Sequence, residues 1–361
     1  MSLNDTTRPL VRVLVVDDSA FMRAALTRMI TSEPGIEVVG TAGSGADALD
    51  KIPALDPDVV TLDVEMPGLN GLETLRRIMS QFPRPVIMVS SATEKDAATT
   101  FDALGSGAFD YVPKHLSSAS LDILHIRQDL VAKVRAAASS RKPCVPTSSL
   151  RKSSQSSSLE FRDFATTPSL VALGSSTGGP KALQEILPRL PRDLSVPLLI
   201  VQHMPPGFTA PFAQRLNALC SLSVREAAHR ELLEPGVVYI APAGMHMTVD
   251  RLSDSRVLVC LESDRGNSLH VPSVDVLMKS VAGAFGNLAM GVILTGMGSD
   301  GAEGMKAIHR QGGLTIGQDE ATCVVYGMPR ACAEIGALTR VVPLSQIPTQ
   351  ILQATQHRRR A

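Results

Sequence analysis

The stretch Val171-Ala172-Leu173-Gly174-Ser175-Ser176-Thr177-Gly178-Gly179-Pro180 is an apolar β-type run that breaks into a glycine-rich turn, with a helix opening behind it at Pro180-Lys181-Ala182-Leu183. A strand that feeds a helix through such a turn is the building unit of an α/β fold. The spacing Gly174-x-Ser176-x-Gly178 fits a nucleophile elbow, in which flanking glycines let the chain bend sharply and let substrate approach the serine. The same bend aims backbone N–H groups and a helix N-terminus at one point, which suits a developing oxyanion and a nucleotide phosphate equally well. Pattern alone leaves three readings open: nucleophile, anion cradle and structural turn.

Working outward, the chain from 167 to 355 keeps alternating. Strands are expected at 196–201, 236–240, 288–294, 314–317 and 341–342, and helices at 212–219, 274–281, 304–310 and 328–334. Short β-type runs at 248–249 and 257–261 suggest an antiparallel edge ribbon, giving a doubly wound, mostly parallel α/β domain with an antiparallel edge. Three of its apolar strands run into Ser176, into His203 before a rigid Pro205-Pro206-Gly207 turn, and into Asp300 among Gly296, Gly298 and Gly301. A parallel sheet brings its strand ends to one edge, so these three side chains are candidates to converge. A serine hydroxyl becomes a nucleophile when an imidazole takes its proton, and a carboxylate that fixes the imidazole tautomer completes the set. His229, His246, His270 and His309 compete with His203, and Asp250, Asp275 and Asp319 with Asp300. The glycine loop also offers backbone donors for an oxyanion, Met297 being the nearest candidate. Cys323 has no elbow around it.

The N-terminal part, 10–128, shows five β/α units and reads as a separate doubly wound domain. Its strands at 11–16, 58–62, 86–89 and 109–112 run into Asp17-Asp18, Asp63, Ser90 and Lys114. Three carboxylates at one sheet edge repel one another unless a cation compensates, so a hard divalent ion with oxygen ligands, helped by the Lys114 ammonium, satisfies the cluster.

Between the domains, 129–166 is rich in Ser, Lys and Pro beyond a helical start at 130–138, the composition of a solvated tether. If flexible throughout, it would span roughly 35 Å and let one domain dock on the other and release. Lys+Arg and Asp+Glu both total 35, so there is no basic excess for nucleic acid. Five cysteines without a C-x-x-C pair indicate a reduced, cytoplasmic protein, and no run of 18 apolar residues indicates a membrane span.

Two resemblances sharpen this reading. Val15-Val16-Asp17-Asp18-Ser19, Leu62-Asp63-Val64-Glu65-Met66-Pro67 and Tyr111-Val112-Pro113-Lys114 resemble the receiver domain of two-component response regulators. The resemblance implies Asp63 as phosphoacceptor and Mg²⁺ held by Asp17, Asp18, Asp63 and the Glu65 carbonyl. It implies Ser90 and Lys114 on the phosphoryl oxygens, Tyr111 as the switch aromatic and a sensor histidine kinase as phosphodonor. His115 stands where receivers usually carry a cis proline, and a cis bond before a non-proline residue costs about 3 kcal/mol, so a trans Lys114–His115 bond is expected.

Gly174-x-Ser176-Thr177-Gly178-Gly179, Gln202-His203-Met204, His270-x-Pro272-Ser273-Val274-Asp275 and Thr295-Gly296-Met297-Gly298-x-Asp300-Gly301-Ala302 resemble the catalytic domain of the chemotaxis protein-glutamate methylesterases. That implies hydrolysis of glutamyl methyl esters, and deamidation of selected glutamines, on the cytoplasmic helices of methyl-accepting chemoreceptors. Ser176 maps to the nucleophile, His203 to the base, Asp300 to the orienting acid, and Thr177 and Met297 to the oxyanion donors. No cofactor is expected in this domain. The rival expectations are a receiver whose output binds a nucleotide on the glycine loop, or DNA; no basic recognition helix supports the latter.

Overall fold

Val13 and Val15 pack into one apolar cluster and Leu14 and Val16 into another, so the run Val11–Val16, β1, is covered on both faces. That is the environment of a strand inside a parallel sheet sandwiched by helices. The computed structural model describes residues 10–91, 93–114, 120–140, 166–252, 256–264 and 268–356. After β1 come α1 (Ala20–Thr31), β2 (Ile36–Ala42), α2 (Gly45–Leu55), β3 (Val59–Asp63), α3 (Gly71–Gln81), β4 (Val86–Ser90), α4 (Glu94–Gly105), β5 (Asp110–Pro113) and α5 (Ser120–Ser140). The strands pair in parallel in the order β2-β1-β3-β4-β5, with α1 and α5 on one face and α2 to α4 on the other. Ser19, Ser44, Asn70 and Thr93 each accept a hydrogen bond from a first-turn N–H of the helix they precede, which fixes where those helices begin. Residues 129–140 of the stretch assigned to the linker are the second half of α5, continuing the helical start read at 130–138. Residues 141–165 and His115, with its expected trans bond, lie outside the described residues.

The second domain runs β6 (Leu170–Ser175), α6 (Gly179–Ile186), β7 (Leu198–Gln202), α7 (Thr209–Leu219), β8 (Ser223–Glu226), β9 (Val237–Ile240), β10 (Met245–Arg251), β11 (Val257–Ser263), α8 (Val274–Phe285), β12 (Ala289–Ile293), α9 (Ala302–Arg310), β13 (Leu314–Gln318), α10 (Met328–Glu334), β14 (Arg340–Val342) and α11 (Ile347–Gln356). Seven strands form a parallel sheet in the order β14-β13-β12-β6-β7-β9-β8. The expected antiparallel ribbon is present as a two-stranded sheet of its own, β10 with β11, tied to α8 where Ser280 Oγ accepts from Val249 N at 3.2 Å. The strand β8 carries Ser, Arg and Glu in four residues and has no apolar run to announce it.

Because β6 is first in sequence and central in space, the order of the sheet reverses around it, and its carboxyl end faces a crevice between the neighbouring loops. Its side chains alternate. Val171 and Leu173 pack with residues of α6, α7 and α11, whereas Leu170 and Ala172 pack with residues of α8, α9 and α10. The same division holds on β7, with Leu198 and Ile200 on the first face and Leu199 and Val201 on the second.

The two domains share one continuous apolar cluster. The chain has nine Phe, three Tyr and no Trp, yet four of these rings meet where α4 packs on α7. Tyr111 stacks on Phe208 at 4.9 Å between centroids, and Phe101 contacts Phe212 at 5.0 Å and Phe208 at 6.2 Å. Arg215 of α7 pairs with Asp102 of α4 at 2.5 Å at the margin.

Gly71 opens α3 directly against β3: a Cβ there would lie 2.0 Å from the Asp63 carbonyl oxygen and 2.8 Å from Val64 Cα. Both atoms are backbone, so the helix must move instead. Gly71→Ala is expected to destabilise the first domain by roughly 1–3 kcal/mol in denaturant unfolding; an unchanged midpoint would contradict this packing.

Candidate active site and acidic pocket

Parallel pairing places Ser175 opposite Gln202 and Gly174 opposite Ile293. One step further, Ser176 lies beside His203 on one side and Thr295 on the other, bound by His203 N to Ser175 O at 3.0 Å and Ser176 N to Thr295 O at 3.1 Å. Neighbouring strands are about 4.8 Å apart, so side chains leaving these positions on one face reach each other. Strand alternation then separates the two serines. Ser175 is fully buried on the α6 face, where its hydroxyl donates to Gln202 Oε1 at 2.7 Å. Ser176 is half-buried on the α8 face, like Gly174, whose absent Cβ would lie 2.3 Å from Val274 of α8.

His203 also faces α8. Its Nε2 bonds Asp300 Oδ2 at 2.8 Å, and its ring stacks on His270 with centroids 4.2 Å apart. Asp300 is seated on the N-terminus of α8. Its Oδ2 accepts from Val274 N at 2.8 Å, and its Oδ1 accepts from Ser273 Oγ at 2.8 Å and from Asp275 N at 3.0 Å. Burial works to raise the pKa of this carboxyl, but the His203 hydrogen bond and the helix N–H groups outweigh it and hold Asp300 well below the usual carboxylate range. An ionised Asp300 requires hydrogen on Nε2, which leaves Nδ1 as the basic nitrogen. Nδ1 is buried and makes no hydrogen bond. The structure thus brings Ser176, His203 and Asp300 together at one rim, with the Asp–His bond made and the Ser–His bond not made; such bonds commonly tighten only when substrate binds.

The backbone N–H groups of Thr177 and Met297 have no partner among the described residues. The loop carrying Met297 is fastened to the serine turn by Thr295, whose hydroxyl donates to Thr177 O at 3.0 Å and whose N–H donates to Gln318 Oε1 at 2.8 Å. Of the competing residues, Asp275 accepts from Gly304 N at 2.7 Å and so joins α9 to α8. His246, buried, accepts from Ser273 N at 3.2 Å and bonds Asp264 at 3.3 Å, supporting the turn that holds Asp300. Gly178 N–H, at the start of α6, meets a carboxylate of the other domain: Asp110 Oδ2 at 3.4 Å. Asp110 is buried beside Lys133, 3.8 Å away. In the sequence Gln202 and Ser273 stand out only as parts of motifs and Asp110 not at all, because a contact between domains leaves no local pattern.

In the first domain Asp17, Asp18 and Asp63 each offer an oxygen within 4.8 Å of the others, at the point where the strand order reverses between β1 and β3. Lys114 Nζ pairs with Asp17 at 3.1 Å and Asp63 at 2.5 Å, yet Oδ2 of each carboxylate is buried without a well-directed hydrogen bond. Two such oxygens beside an exposed third carboxylate fit a hard divalent cation. The open cleft here, about 590 Å³, is lined by Asp18, Asp63, Glu65, Asn70, Ser91 and Lys114. Glu65 N donates to Asp63 Oδ1 at 3.1 Å, folding the loop over the acid. Ser90 is buried, accepting from Thr100 Oγ at 2.8 Å and donating to Ser91 O at 3.1 Å. Tyr111 is buried with its ring edge on Phe101.

These observations define a class: a receiver-type α/β domain joined to a second parallel α/β domain with a Ser, His and Asp at the carboxyl edge of its sheet. Residues 171–351 match the family model described as CheB methylesterase, and residues 13–124 match that of the response regulator receiver domain. The protein-glutamate methylesterase/protein-glutamine glutaminase of Symbiobacterium thermophilum is 47% identical over 98% of this chain and 99% of its own. The second such protein of Nitratidesulfovibrio vulgaris is 46% identical over 95% and 99%. The solved CheB methylesterase catalytic domain of Thermotoga maritima is 38% identical, covers 52% of this chain and 99% of its own, and superposes with a TM-score of 0.50. The chain belongs to the CheB methylesterase family and is an enzyme of the protein-glutamate methylesterase/protein-glutamine glutaminase class with a receiver domain. No described helix is long and apolar enough to cross a membrane.

Burial, reinforced by Asp17 and opposed by Lys114, raises the Asp63 carboxyl from 3.8 to about 6. A folded-state value above the unfolded one means that the charged carboxylate costs stability above pH 6, while below about pH 4 both states are protonated and the cost is gone. Without divalent cation, Asp63→Asn is therefore expected to stabilise the first domain by on the order of 2 kcal/mol at pH 7.5. The gain should shrink to nothing by pH 4 in thermal melts; a gain independent of pH would contradict this origin.

Proposed function

We propose that the chain is a phosphorylation-regulated serine hydrolase that removes methyl esters from glutamyl side chains on the cytoplasmic helices of methyl-accepting chemoreceptors, and deamidates selected glutamines there. The observation that carries the mechanism is the imidazole of His203, bonded through Nε2 to an ionised Asp300 and presenting a buried, unpartnered Nδ1 on the strand next to Ser176. Ser176 Oγ attacks the ester carbonyl while Nδ1 takes its proton. The tetrahedral oxyanion is met by the unpaired N–H groups of Thr177 and Met297. Collapse breaks the C–O bond to methanol, which leaves with the proton held by His203, and forms a glutamyl ester of Ser176. Water, deprotonated by the same nitrogen, hydrolyses that ester to the free carboxylate. With glutamine the departing group is ammonia. Asp300 stays ionised throughout and fixes the ring.

In the first domain we assign Asp63 as the acceptor of a phosphoryl group from a sensor histidine kinase. Asp17, Asp18, Asp63 and the Glu65 carbonyl would hold Mg²⁺, which supplies charge neutralisation for phosphoryl transfer. Lys114 and Ser90 hold the phosphoryl oxygens, and Ser90 must turn from Ser91 O to do so. Tyr111, close by on β5, carries the change to the domain contact through its stack on Phe208. The docked receiver places Asp110 on the Gly178 N–H of the serine turn, so release of the receiver frees the approach to Ser176. We assign residues 10–128 together with the remainder of α5 to the receiver, 141–166 to the connection and 167–355 to the catalytic domain.

Ser176→Ala is expected to abolish methanol release from methylated receptor membranes and labelling by a fluorophosphonate, with an unchanged far-ultraviolet spectrum; retained turnover would refute the assignment. Arg215→Glu sets a like charge against Asp102 at the rim of the domain contact. It should raise the basal rate of the unphosphorylated chain several-fold and shrink the further activation by acetyl phosphate. An unaltered basal rate would show that this contact does not restrain the enzyme.

A further inference from the structure

Gln202 is almost fully buried between the ends of β6 and β7, and its carboxamide uses every donor it has. Nε2 donates to Ser176 O at 2.9 Å and to His203 O at 3.0 Å, while Oε1 accepts from Ser175 Oγ at 2.7 Å. The orientation is dictated by chemistry: turned over, the amide would set its oxygen against two carbonyl oxygens. The ladder between β6 and β7 ends with His203 N on Ser175 O. Beyond that bond, among the described residues, only the amide spans the two strand ends, and it is the sole protein donor to His203 O. The space for the carboxamide is reserved by Gly179, where a Cβ would lie 2.0 Å from Gln202 Oε1 and 2.8 Å from Ser175 Cβ. Three residues of the serine and histidine motifs that take no part in the reaction, Ser175, Gly179 and Gln202, thereby form one buried unit.

From this we infer that Gln202 is a positioning residue, a brace that sets the distance and angle between Ser176 and His203, with Ser175 orienting its amide and Gly179 leaving room for it. The inference rests on the reading of Ser176 as nucleophile and His203 as base. Gln202 touches neither the substrate nor the reacting atoms; it acts on the two carbonyls behind them. Gln202 is almost fully buried, and once its donors are removed Ser176 O keeps only Gly179 N, at 2.8 Å, while His203 O loses its one protein donor among the described residues. A nucleophile and base displaced by about 1 Å lose on the order of 100-fold in rate while the binding surface is unaltered.

The test uses the full chain with acetyl phosphate and methylated receptor membranes, comparing Gln202→Met, Gln202→Glu and Ser175→Ala with the parent and with Ser176→Ala. Both Gln202 variants are expected to lower kcat roughly 10- to 100-fold, with KM within about 3-fold. The rate of inactivation by a fluorophosphonate should fall in parallel, since it reports the nucleophile without the receptor. Ser175→Ala keeps both carbonyl bonds and loses only the orienting one, so a kcat loss of roughly 3- to 10-fold is expected. Full kcat and full fluorophosphonate reactivity in folded Gln202→Met would overturn the inference. If neither Gln202 variant folds, Ser175→Ala decides, and an unchanged kcat overturns it. Activity surviving in Ser176→Ala would instead remove the reading on which the inference stands.

Discussion

The parallel register of β6 with β7 and β12 is the constraint on which the second domain depends. Ser175 opposite Gln202 and Gly174 opposite Ile293 place the chain leaving each strand at one level of one edge. Side chains alternate with a period of two, so a slip of one residue would send Ser176 to the α6 face and Ser175 to the face of His203 and Asp300. The burial of Val171, Leu173, Leu198 and Ile200 on one side and of Leu170, Ala172, Leu199 and Val201 on the other makes such a slip costly: each exchange would force a fitted apolar side chain into the wrong cluster. The hydrophobic core thus selects which serine faces the imidazole.

The two acidic centres show how surroundings divide chemically identical groups. Asp300 and Asp63 are both largely withdrawn from water, which disfavours their charge. Asp300 meets three donors at the start of α8 as well as His203, and the donors win. Asp63 has Lys114 on one side and the like charge of Asp17 on the other, and burial wins. The first carboxylate is held ionised and immobile, suited to orienting a ring. The second is held under electrostatic tension, which fits the cation and phosphoryl group proposed for it.

Much of this was legible in the sequence, for a physical reason. Strands covered on both faces read as near-continuous apolar runs, as in Val11–Val16 and Leu198–Gln202. The strand-end residues Asp17, Asp63, Ser176, His203 and Asp300 follow from that pattern together with the rule that parallel strand ends share an edge. What was not legible depends on groups distant in sequence. Asp110 and Gly178 meet across the domain contact, the amide of Gln202 serves carbonyls on two strands, and His246 supports Asp300 through Ser273. None of these pairings imposes a period or a spacing. The strand Ser223–Glu226 escaped because it is short and polar, and β10 with β11 separated from the main sheet by packing on α8.

The ring of Tyr111 belongs to the core of the receiver and, through Phe208, to the surface on which the esterase domain rests. A group shared in this way makes the two equilibria one, and free-energy coupling is symmetric. On the proposed function, whatever phosphorylation would contribute to undocking, a receptor helix bound in the uncovered crevice would return to the phosphorylated form. On that reading the undocked form would be more populated where substrate is plentiful and less so where it has been used up.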